Sequence, residues 1–104
     1  MALRQISEEQ IIVSTASIGI TSTLLVDANG NTVGIIHADF QHRSGGIIQI
    51  NAQTAPAADG SVGIERTIGD EWRVIGFEDL KNFRMIKQTG ESDAVVNVTL
   101  FGAP

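Results

Sequence analysis

Alternation of apolar and polar residues through the last third of the chain restricts its fold more than any other feature. Ala94, Val96, Val98 and Leu100 fall on one side of a segment whose other side carries Asn97 and Thr99. Phe83 and Met85 alternate around Arg84, and Trp72 and Val74 alternate with Glu71 and Arg73. A period of two is that of a half-buried β-strand, with successive side chains pointing to opposite faces. Turn residues separate these runs, so the pattern predicts a compact antiparallel β-domain. It also predicts which side chains face inward: Ile48, Ile50, Trp72, Phe83, Met85, Val96 and Val98.

The rest of the chain fits the same plan. Residues 1–9 read as an extended arm, and residues 10–104 as a β-sandwich domain. Ser7-Glu8-Glu9-Gln10 has the form of a helical capping box, but the β-branched Ile11, Ile12, Val13 and Thr15 that follow favour a strand over about 10–15. Further strands are predicted from Ile20 to Val26, from Val33 to about Phe40, from Ile47 to Gln53 and from Ser61 to Ile68. Three more cover 71–77, 83–88 and 94–101. Asn29-Gly30 between two apolar runs is a strong hairpin signal, because both residues tolerate positive φ. Gln41 to Gly46 reads as a polar turn, Thr54 to Gly60 as a loop, and Glu78 to Asn82 as one helical turn. About eight short strands at this spacing predict two packed sheets, a jelly-roll-like sandwich ahead of a small barrel.

A chain of 104 residues holds one domain and one core. Eleven glycines against two prolines suit an all-β protein with tight turns, and 42% hydrophobic residues argue against extensive disorder. A net charge of −5 with only seven scattered Lys and Arg disfavours nucleic acid as a partner. Without cysteine there is no disulfide framework, no thiolate chemistry and no cysteine zinc site. No run approaches the roughly 18 apolar residues of a membrane helix. Residues 1–9 lack the apolar stretch of a signal peptide, so synthesis in the cytosol is the expectation.

Candidate chemistry is sparse. Asp27, Asn29 and Asn31 have the opening spacing of a calcium loop, but Thr32 and Ala38 stand where glycine and the closing carboxylate belong. His37, Asp39 and His42 form the one cluster with metal-ligand character. Alternation puts the first two on one face and His42 in or beside the turn, and surface or interface histidines explain them as well. Ser44 lies near both histidines without a nucleophile elbow. Glu65, Asp70, Glu71, Glu78 and Asp79 are spread over turns and solvent-facing positions rather than paired. Asn97-Val98-Thr99 is a formal glycosylation sequon in mid-strand. Neither an enzyme nor a cofactor or metal site is predicted.

The run from Gly46 to Phe101 resembles small accessory proteins of tailed-bacteriophage virions, the capsid decoration or cement type. The residues carrying the resemblance are Ile47 to Ile50, Thr54-Ala55-Pro56 with Gly60, Leu80 with Phe83-Arg84-Met85-Ile86, and Val96-Asn97-Val98-Thr99-Leu100-Phe101. The chain departs from the pattern at Ile50-Asn51-Ala52, where those proteins have Ile-Arg-Tyr. The resemblance implies a non-catalytic β-sandwich of the virion that clamps capsid subunits, with the major capsid protein or other virion proteins as partners. A homo-oligomer, such as a trimer, is expected, with no membrane partner. On that reading the arm is the docking element, with Leu3 and Ile6 as apolar anchors and Arg4 as a polar or ionic donor. Deleting residues 2–9 would then leave a domain that still melts cooperatively but binds particles poorly. Alternatives are a tail or connector component, or a carbohydrate-binding sandwich using Trp72, Phe77 or the Gln41–Gly46 loop.

Overall fold

A computed structural model describes residues 4–25, 29, 34–52 and 54–102. Seven strands form among them: β1 (Arg4–Val13), β2 (Ile35–Ser44), β3 (Ile48–Asn51), β4 (Ile64–Arg66), β5 (Glu71–Ile75), β6 (Arg84–Lys87) and β7 (Ala94–Gly102). One short helix, α1 (Phe77–Asn82), links β5 to β6. The strands make two sheets, one ordered β1-β7-β2-β5 and the other β4-β3-β6, and every pair is antiparallel. This is the all-β sandwich expected of the alternation, with seven described strands rather than eight.

The core lies between the sheets. Ile11 and Val13 of β1, Ala38 and Phe40 of β2, and Ala94, Val96, Val98 and Leu100 of β7 meet Ile48 and Ile50 of β3 and Met85 of β6. Leu80 of α1 and Phe83 belong to the same cluster. Six of the seven predicted inward residues are fully buried, and Trp72 packs against them from the border of the core. Phe40 is central, its ring stacked 5.4 Å from Trp72 and tilted 4.6 Å from Phe83.

Strand β7 follows its sequence pattern without exception, buried at each even position and half-buried at each odd one. Val98→Ala is therefore expected to destabilise the fold by about 1–3 kcal/mol, and Thr99→Ala by less than about 1 kcal/mol. Chemical denaturation of the two variants checks this. A larger loss for Thr99→Ala would invert the faces of the strand.

Three expectations are corrected by the fold. The arm at 1–9 is absent as such from Arg4 onward, because β1 begins there and pairs with β7 from Arg4↔Gly102 through Val13↔Ala94. Its polar sequence hides the strand. Ser7 and Glu9 take inward positions where apolar residues would have signalled pairing, and a bulge at Ile6 breaks the alternation. Ile20–Val26 does not form a strand where it is described. Ser22–Leu24 is a 3₁₀ turn with Ile20 and Leu25 buried beside it. The Glu9 carboxylate accepts the Thr21 N–H at 2.9 Å and its hydroxyl at 2.7 Å, so a side chain does the work of a ladder. Finally, the polar run at Gln41–Gly46 is mostly strand. β2 continues to Ser44 because it is central, held by β7 on one side and β5 on the other.

The tight connection after β2 depends on Gly45, at φ +96°, where a Cβ would also run into the Asp93 carbonyl. The Asn29-Gly30 hairpin and the Asp27/Asn31 calcium pattern fall largely outside the described residues. The loop before β4 folds over the outer face of the smaller sheet and buries Gln49, which donates to Gln88 Oε1 at 2.9 Å.

Candidate functional site

The larger sheet leaves its outer face open, and strand register decides which side chains share it. One row across the four strands is Gln10, Asn97, Gln41 and Glu71, and the next is Glu8, Thr99, Asp39 and Arg73. A third row adds Phe101, His37 and Ile75. The first two rows line an open trough of about 770 Å³. Bulges in β1 at Gln5/Ser7 and in β2 at Ile35/His37 and His42/Ser44 add twist to the sheet that carries it.

The trough is polar and partly organised. Gln10 donates to Asn97 Oδ1 at 3.1 Å across the β1–β7 pair. Arg73 grips Asp39 with two nitrogens, Nε to Oδ1 at 2.6 Å and Nη2 to Oδ2 at 3.1 Å. Those hydrogen bonds, with the charge of the guanidinium, hold the Asp39 carboxyl below its ordinary pKa against its slight burial. Such a fork fixes both side chains in the plane of one cross-strand pair. At the edge of the trough His37 stacks on Phe101, ring centroids 4.8 Å apart.

The histidine cluster divides between the two faces of β2. His37 and Asp39 share the outer face as the alternation predicted, but His42 points into the core, only 1% exposed. Its Nε2 lies 2.7 Å from the Gly46 carbonyl, and since a carbonyl only accepts, that nitrogen carries the proton. His42 thus ties down the β2–β3 turn. Among the described residues no three His, Cys, Asp or Glu side chains group as metal ligands.

Other sequence candidates are also relocated. Arg4 is exposed at the start of β1, Ile6 packs against the core, and Leu3 lies outside the described residues. Trp72 is not an open platform: its inner side meets Phe40, and the Arg66 guanidinium sits 5.6 Å from its ring centre. Phe77 likewise packs against the core, with Lys81 beside it. Of the Gln41–Gly46 run only Gln41 reaches the trough, while Ser44 is exposed at the end of β2. Asp70 caps its own turn by accepting the Thr67 N–H at 2.9 Å. The trough residues Gln10, Gln41 and Asn97 drew no attention in sequence as a group. Their outward positions in each strand were the available signal, but nothing linear shows that three distant strands align them.

A second surface lies on the open side of the sandwich. β4 and β5 are terminal strands of their sheets, and Arg66 over Trp72 places them one above the other. Along and beside these edges Ile64, Ile68 and Ile75 are 57%, 61% and 63% exposed, and Val62 is 39% exposed. Ile64 lies in the core-side row opposite Ile50, yet overhangs the end of the core. No helix among the described residues is long and apolar enough to cross a membrane. Comparison with family models, with curated proteins and with solved structures finds no match.

Proposed function

We propose that this protein is a structural component of a tailed-bacteriophage particle, a decoration or cement-type subunit that acts through contact area rather than catalysis. One observation carries the reading: the exposed β-branched side chains Ile64, Ile68 and Ile75 lie on or next to the terminal strands β4 and β5. Edge strands are normally protected by charge, proline or a covering element, because free backbone groups and apolar side chains together recruit another chain. Here Ile64, Ile68 and Ile75 supply the apolar contact, and Glu65 and Glu71 flank it with charge. The partner is the major capsid protein, another virion protein or a further copy of this chain in a homo-oligomer. This reading moves docking from Leu3, Arg4 and Ile6 to the β4–β5 edge, since Arg4 and Ile6 belong to the sheet.

Sedimentation of purified particles tests it. The protein should co-sediment in a fixed stoichiometric ratio to the major capsid protein. Ile64→Asp with Ile68→Asp should cut occupancy at least tenfold while lowering the melting temperature of the free protein by only a few degrees, because both side chains are more than half exposed. Absence of the full-length protein from particles would end the structural reading. Full occupancy by the double variant would remove this edge from it.

A further inference from the structure

We infer that the trough on the larger sheet is a binding site for a neutral oligosaccharide. The inference does not rest on the particle reading and uses a different face of the molecule. Its volume of about 770 Å³ lies within the ~300–1,000 Å³ usual for small-ligand sites. The chemistry of the lining selects the ligand class.

Gln10, Asn97 and Gln41 form a row of primary amides across three adjacent strands. Each amide offers both a donor and an acceptor, as each sugar hydroxyl does. Strands lie ~4.8 Å apart, about the length of one pyranose unit, so successive amides can address successive rings of a chain laid across the sheet. The Gln41 side chain makes no hydrogen bond to the described residues, and the Asn97 amide nitrogen is left over after its oxygen accepts from Gln10. Asp39 and Arg73 add a rigid polar pair in the next row. Their mutual fork uses two of the five guanidinium N–H groups and leaves carboxylate lone pairs for vicinal hydroxyls.

Charge narrows the class further. Glu8 and Glu71 flank the trough and Arg73 is already neutralised by Asp39, so phosphate-rich or sulfated ligands meet repulsion. A peptide finds little purchase either. β7 and β2, which floor the trough, are paired on both sides, so free backbone lies only at its rims on β1 and β5. A neutral, hydroxyl-rich chain satisfies both conditions.

The test uses the full-length protein on an array of immobilised neutral and sulfated glycans, followed by calorimetric titration with the best neutral oligosaccharide. Wild-type protein should bind at least one neutral glycan, with little change between low and high salt. Gln41→Ala with Asn97→Ala should raise Kd at least tenfold. Its melting temperature should stay within a few degrees of wild type, because both side chains lie outside the core. Binding of no neutral glycan, capture of sulfated glycans alone, or binding indifferent to the double substitution would each overturn the proposal.

Discussion

Phe40→Ala is expected to destabilise the protein by about 3–5 kcal/mol, the range for truncating a fully buried aromatic residue. The side chain is 2% exposed and sits between Trp72 of the neighbouring strand β5 and Phe83, which links α1 to β6 of the other sheet. Its removal takes away buried area and two ring contacts. It also leaves a cavity beneath a central strand, β2, that is held on both sides and has little freedom to collapse. A domain of this size has a total stability of roughly 5–15 kcal/mol, so the variant should be largely unfolded under mild denaturant. Phe40→Leu keeps most of the volume and should lose only about 1 kcal/mol. Equilibrium denaturation of both variants decides the matter. A loss below about 1 kcal/mol for Phe40→Ala would mean that the two sheets are not packed through this ring.

Deletion of residues 2–9 is expected to abolish cooperative folding or lower the melting temperature by tens of degrees, the reverse of what an arm would do. The deleted segment contains Arg4, Gln5, Ser7, Glu8 and Glu9, paired with Gly102, Phe101, Leu100, Thr99 and Val98. With one ladder hydrogen bond per residue on average and a net ~1 kcal/mol for each, the loss is about 5 kcal/mol before side chains are considered. Ile6 leaves the border of the core, and Thr21 loses the Glu9 carboxylate that anchors the 3₁₀ turn. Half of β7 becomes an edge, which also invites aggregation. Thermal unfolding followed by circular dichroism reads the result directly. A cooperative transition within a few degrees of wild type would return residues 4–9 to the status of an arm.

The two proposed surfaces are separable. The β4–β5 edge would serve protein contacts through Ile64, Ile68 and Ile75, none of which lines the trough, while β5 gives the trough Glu71, Trp72 and Arg73. Substitutions at Ile64 and Ile68 should therefore leave glycan binding intact, and those at Gln41 and Asn97 should leave particle occupancy intact.

Local sequence determined the class of fold and most of the core. A strand exposes alternate residues to alternate faces, so Val96, Val98 and Leu100 in β7 and Ile48 and Ile50 in β3 declare their inward side without reference to partners. The short helix after Gly76 and the turn before β5 are likewise local events, written in residues a few positions apart. Tertiary structure decided what depends on neighbours distant in the chain. β1 is a strand from Arg4 because β7 offers it a ladder some ninety residues away, although Ser7 and Glu9 put polar groups at its inward positions. Gln41 continues β2 instead of turning because strands flank it on both sides, and His42 is drawn into the core by the same alternation and by the Gly46 carbonyl. The trough follows the same rule. Gln10, Gln41 and Asn97 are ordinary solvent-facing residues one strand at a time, and only the pairing of β1, β7 and β2 brings three amides into a row. Hydrogen-bonded register is a property of strand pairs, and no single strand carries it.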